Sequence, residues 1–141
     1  MKTLNMILTT GLLASVSLTT GSAQSDPQLQ VKVTVPFDFK AGGVTFATGD
    51  YTISEGSSGM LLIREQAVPN SAFVMAHRGE NGRTVEHTKV LFHQYGSQYF
   101  LEGVARAGDS YTASVIPSKD ERQIRRSSAT PNVLMLVGRA R

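Results

Sequence analysis

The sequence predicts an all-β chain: an antiparallel β-sandwich or a small β-barrel of about 8–9 strands, with one short C-terminal helix. Three observations carry that reading. Apolar and polar residues alternate with period two along several short segments, the pattern of strands with one buried face. Glycine-containing turns punctuate those segments at short intervals. A helix start signal, Ser118-Lys119-Asp120-Glu121, follows Pro117 near the C-terminus.

The first 23 residues predict a secretory signal peptide. Lys2 is the one charge before Asp26, an apolar run of about 13 residues follows from Met6 to Leu18, and small and polar residues come next. A membrane-spanning helix needs about 20 apolar residues, so the run is too short for an anchor. Gly21 and Ala23 suit a cut after Ala23, and Ala23 with Ser25 suits a cut after Ser25. Residues 24–141 then form a single β domain, periplasmic or extracellular. Cysteine is absent from the 141 residues. That excludes disulfides, a CxxC redox motif, a thiolate zinc site, a cysteine nucleophile and a lipidated N-terminal cysteine. The fold must hold by its apolar core, which a domain of this size can supply.

Val31, Val33, Val35, Phe37 and Phe39 alternate with Lys32, Thr34, Pro36 and Asp38, which predicts a half-buried strand. Pro36 cannot donate to a ladder, so it marks an edge position or a bulge. After Ala41-Gly42-Gly43 come Val44 and Phe46, then Tyr51 and Ile53 with the same alternation. Residues 60–64 are a short apolar run, read as a strand in a packed sheet. Asn81-Gly82 predicts a two-residue hairpin turn, pairing Phe73 with Val90, Met75 with Thr88 and His77 with Glu86. Gly96-Ser97 predicts a second, pairing Phe92 with Leu101, His93 with Phe100 and Gln94 with Tyr99. Both registers place Phe73, Met75, Val90, Phe92, Tyr99 and Leu101 on one face. Ala107-Gly108-Asp109 turns into a strand over 111–116. Ser118 as N-cap and Glu121 at N3 start a helix over about 119–127. Beyond Pro131, residues 133–137 predict a buried last strand, within about 132–138.

Three segments together resemble a group of small exported bacterial β-proteins of unassigned activity. They are Val35-Pro36-Phe37-Asp38-Phe39 with Gly42, Gly43, Phe46, Gly49 and Tyr51-Thr52-Ile53; the run from Lys89 through Gln94-Tyr95-Gly96-Ser97 to Leu101; and the passage from Pro117-Ser118-Lys119 into an arginine-rich helix. The resemblance covers most of residues 30–128. It implies an all-β exported domain and carries over no activity, cofactor or catalytic residue.

The chemistry-bearing residues are sparse. His77, His87 and His93 are the three histidines. His87 and His93 stand six residues apart on one expected strand, roughly 20 Å, too far for one ion. His77 beside Glu86 would be half a zinc site or a cross-strand hydrogen-bonded pair. His93, opposite Phe100 and near Tyr95, suits an aromatic pocket or a packed surface pair. Asp38, Asp50, Glu55, Glu65, Glu86 and Glu102 are scattered singly, unlike the paired carboxylates of acid–base hydrolysis. Ser57-Ser58-Gly59 is a flexible turn, and neither GxSxG, GxGxxG nor a GxxxxGKS loop occurs. No catalytic residue, metal ligand or cofactor is expected.

Charge is distributed unevenly. Residues 26–118 carry 7 basic and 9 acidic groups, net −2, whereas residues 119–141 carry 6 basic and 2 acidic, net +4. Arg122, Arg125 and Arg126 fall at i, i+3 and i+4 on the predicted helix, and Arg139 and Arg141 add charge beyond it. They are the expected contact with an anionic partner, either an envelope component or another protein, unless they are a solvated face matched to the helix dipole. The negative remainder argues against nucleic acid. The expected function is a non-enzymatic exported β domain with a binding or structural role in or outside the bacterial envelope. A first alternative is a small-molecule or lipid carrier, with Phe37, Phe39, Phe73, Phe92 and Tyr99 around a cavity. A second is a periplasmic enzyme using His77 and Glu86.

Overall fold

The computed structural model describes residues 29–56, 59–80, 82–127 and 130–140. The predicted signal peptide, both cut sites, Ser57, Ser58, Asn81, Ala129 and Arg141 lie outside the described residues. Among the described residues the fold is all-β with one short helix, as the sequence predicts. In chain order the elements are β1 (Gln30–Val35), β2 (Phe39–Ala41), β3 (Val44–Phe46), β4 (Gly49–Glu55), β5 (Met60–Glu65) and β6 (Ser71–Glu80). There follow β7 (Lys89–Tyr95), β8 (Gln98–Ala105), β9 (Tyr111–Val115), α1 (Lys119–Ser127), β10 (Asn132–Val137) and β11 (Arg139–Ala140). The 11 strands among the described residues exceed the expected number because the first alternating run splits in two and the last strand is interrupted by Gly138. Among the described residues no helix is long and apolar enough to cross a membrane.

Hydrogen bonding follows the order β10-β7-β8-β9-β6-β5-β4-β1-β11, with β2 beside β8 and β3 paired to β2. The corners between the two packed layers lie at β6, which changes partners along its length, and at the passage from β10 into β11. Residues 71–75 of β6 pair with β5, and residues 76–80 pair with β9. At the opposite corner β10 pairs with β7, and β11, after Gly138, pairs with β1. A Cβ on Gly138 would stand 2.4 Å from Val31 Cγ1, so glycine is what lets the chain pass so close to β1. The first alternating run breaks where Pro36 removes a donor: β1 ends at Val35, and β2 begins three residues beyond Pro36 in the other layer. The Asp38 carboxylate accepts from the Thr48 backbone N–H at 2.8 Å, closing the loop that carries β2 and β3.

Val31, Val33, Val35, Tyr51, Ile53, Leu61 and Ile63 of one layer meet Val90, Phe92, Leu101, Val104, Ala113 and Val115 of the other. Phe39 bridges them, its ring 5.1 Å from Tyr51 and 5.3 Å from Phe92. The Gly96-Ser97 hairpin has the predicted register: Phe92 opposes Leu101, His93 opposes Phe100 and Gln94 opposes Tyr99. Gly96 has φ 61°, as a glycine in the first central position of a type II′ turn requires.

The expected hairpin at Asn81-Gly82 does not form. β6 pairs with β9 instead, and His77 opposes Ser114, not Glu86. Residues 82–88 are largely polar and meet Ala107 through a bridge at Val85. The expected face changes with it. Val74 is the inward residue of β6, while Phe73 and Met75 are 67 % and 66 % exposed. The last strand is also less buried than its composition suggests. Leu134 and Leu136 pack on the core, whereas Val133, Met135 and Val137 face outward.

Tyr51 ties this core to alkaline stability. Its ring is fully buried and its hydroxyl donates to the Ala47 carbonyl. Burial first, then the negative charges of Glu65 and Asp38, push the phenol up from 10.0 to about 12. The folded value lies above the unfolded one, so its contribution is complete below pH 10 and is lost as pH rises towards 12. Over that window the native protein should lose on the order of 2 kcal/mol that Tyr51→Phe does not lose. At neutral pH the variant should be less stable by about 1 kcal/mol, because the Ala47 carbonyl loses its donor. Denaturant midpoints measured across the alkaline range check this. Parallel curves for the two proteins would count against it.

Candidate functional site

Pro117 ends the run of β9, and Ser118 caps α1 by accepting the Glu121 backbone N–H at 3.3 Å. Asp120 and Glu121 occupy the first turn, with Arg125 and Arg126 in the last, as the helix dipole favours. The capping box is only half used. The Glu121 carboxylate turns away from Ser118, down onto the outer face of β7 and β8, and the residue is 4 % exposed. Its Oε1 lies 2.9 Å from His93 Nδ1 and accepts from Arg125 Nη2 at 3.2 Å and from the Tyr95 hydroxyl at 3.4 Å. Arg125 Nε donates to the same Tyr95 oxygen at 3.2 Å. That hydrogen bond first, then the electrostatic pull of Tyr95 and after it of Glu121, raise the Arg125 pKa against the opposing effect of burial.

The other side of His93 meets a third element. β8 bulges between its pairings with Leu91 and Phe92, which leaves Glu102 without a cross-strand partner. His93 Nε2 lies 3.3 Å from Glu102 Oε2, an ion-pair distance without hydrogen-bond geometry. The bulge needs the next residue to be small: a Cβ on Gly103 would stand 2.4 Å from the Ala113 carbonyl oxygen. Beneath the helix the Phe100 ring packs edge-on against Tyr95 at 5.8 Å, and Lys40 spans from that ring to Asp120 at 3.9 Å.

This cluster joins α1 to β7 and β8 through polar contacts. Each imidazole nitrogen faces a carboxylate, whereas a nucleophilic triad needs one nitrogen facing a hydroxyl or thiol. Among the described residues no three His, Asp or Glu side chains converge as metal ligands. The arrangement is suited to seating the helix at one position on the sheet.

The three helix arginines therefore separate. Arg125 is engaged with Glu121 and Tyr95, while Arg122 and Arg126 remain on the solvent side, lining a shallow depression with Lys119 and Gln123. Arg139 is exposed on β11. His77 and Glu86 are not brought together by the strand pairing, and both are exposed. Four of the five aromatic residues expected around a carrier cavity pack in or against the core. Phe37 stacks on Tyr99 at 4.0 Å and meets Phe92 edge-on at 5.1 Å, while Phe73 lies on the outer surface.

Sequence reasoning missed the His93–Glu121 contact, which spans 28 residues. The readable signal was Gly103 inside a strand pattern beside an isolated Glu102, the mark of a bulge. Comparisons with protein-family models, with curated proteins and with solved structures find no match.

Proposed function

We propose that the protein is a non-enzymatic, exported β domain that works by binding, and that Lys119, Arg122 and Arg126 contact an anionic component of the bacterial envelope. One observation carries the reading. Glu121, His93, Tyr95 and Arg125 hold α1 against the sheet, so its remaining cations are presented from a fixed position. Preorganised charge binds better than charge on a mobile tail, because less side-chain and loop freedom is lost on association. The signal-like N-terminus and the net charge of +4 over residues 119–141 support an extracytoplasmic, anionic partner.

The test is a titration of the mature protein with dextran sulfate, a soluble polyanion, at several salt concentrations. Affinity should fall as salt rises. The double variant R122Q/R126Q should bind roughly tenfold to thirtyfold more weakly, at about 1 kcal/mol per cation near an anionic surface. Absent binding, or equal affinity in the variant, would overturn the reading. So would a reproducible turnover that one side-chain substitution abolishes. Export is checked by the intact mass of protein recovered from the periplasm or medium, which should begin at Gln24 or Asp26.

A further inference from the structure

Beyond the polar pair Arg64 and Ser71, the outer face of β5 and β6 carries an apolar patch where a solvated sheet face would be polar. Cross-strand pairing sets Met60 opposite Met75 and Leu62 opposite Phe73, with Leu61, Ile63 and Val74 turned inward to the core. Phe73 and Met75 are about two-thirds exposed. Ile116, itself exposed, joins them at the end of β9, its backbone N–H bonded to the Met75 carbonyl at 2.9 Å. A groove of about 500 Å³ runs from Phe73 and Met75, past the Gly42-Gly43 turn and Ile116, to Lys119. Lys119 also borders the depression lined by Arg122 and Arg126, so the apolar and cationic surfaces are continuous. Among the described residues that line the groove the one carboxylate, Asp120, is paired with Lys40.

We propose that this composite surface docks onto an anionic lipid bilayer, with Phe73 and Met75 entering the interface and Lys119, Arg122 and Arg126 on the headgroups. The inference rests on the anionic-partner reading above and names its partner. Charge complementarity selects the occupant. A soluble polyanion would satisfy the cations and leave Phe73 and Met75 in water. A second copy would cover the apolar residues and set like charges beside one another. A bilayer carrying acidic headgroups takes both halves at once, the arrangement used by proteins that lie in a membrane interface.

The experiment compares the mature protein, F73S/M75S and R122Q/R126Q in two titrations. One uses vesicles of phosphatidylcholine with phosphatidylglycerol, the other dextran sulfate. Thermal melts confirm that each variant is folded, as exposed substitutions should allow. F73S/M75S should bind the vesicles about tenfold or more weakly, from the loss of two apolar side chains, with dextran sulfate affinity unchanged. R122Q/R126Q should weaken both. Equal vesicle binding by the native protein and F73S/M75S overturns the bilayer proposal. So does polyanion binding without vesicle binding, although the anionic-partner reading then stands. A native dimer that F73S/M75S dissociates assigns the face to a second copy and also overturns it.

Discussion

A chain ending at Ala129 should show no cooperative thermal transition. The cut removes β10 and β11, which form one corner between the two layers. β7 loses the partner along Lys89–Gln94, and β1 loses its pairing at Val31 and Lys32. Leu134 and Leu136 leave the core, and Val31 and Val90, both at 0 % exposure, lose the Gly138 backbone that lies against them. Two newly opened strand edges and a breached core together cost several kcal/mol, comparable with the roughly 5–15 kcal/mol that holds a typical domain. Near-ultraviolet circular dichroism of the tyrosines during heating makes the measurement. A shortened chain that melts like the full mature protein would show that the corner strand is dispensable.

Glu121→Ala should lower stability by about 2–3 kcal/mol, or roughly 10 °C in melting temperature for a domain of this length. The variant removes the acceptor shared by His93, Tyr95 and Arg125. Losing one partner of a buried charged cluster typically costs about 3–5 kcal/mol. The smaller figure reflects Arg125, whose side chain is 46 % exposed and regains water. Glu121→Gln keeps the shape and should lose less. A double-mutant cycle between Glu121→Gln and His93→Gln should give a coupling above about 1 kcal/mol, since the two side chains touch. A melting point for Glu121→Ala within about 2 °C of the native protein would refute the helix-seating role.

The two tight turns read from the sequence had opposite outcomes, and the difference is physical. Gly96-Ser97 lies between segments that are both strand-like up to the turn, so the local signal and the tertiary pairing agree. Asn81-Gly82 is followed by largely polar residues before β7 begins at Lys89, and β6 finds a better partner in β9. The buried face of β6 is opposite to the expected one for a related reason. Phe73 and Met75 are larger than Ala72, Val74 and Ala76, so size favours the wrong face as the core. Val74 is buried because the Gly42 turn and Leu61 reach it, which period two cannot reveal.

The candidate site was legible only in parts. The arginines and the Ser118 cap could be read locally, because dipole and capping effects act within one turn of helix. The division of labour among the arginines could not. It depends on where Glu121 points, and that is decided by His93 and Tyr95 on a strand far away in sequence.

By itself, the sequence determined the β class, the glycine turn at Gly96 and the helix after Ser118. These rest on side-chain alternation, backbone dihedral preferences and hydrogen bonds between residues a few positions apart. Only the tertiary structure decided the strand order, the corners at β6 and Gly138, the apolar patch on the outer face of β5 and β6, and the carboxylates around His93. Those depend on which distant strands bury each other's faces, a choice made by the summed fit of the whole core.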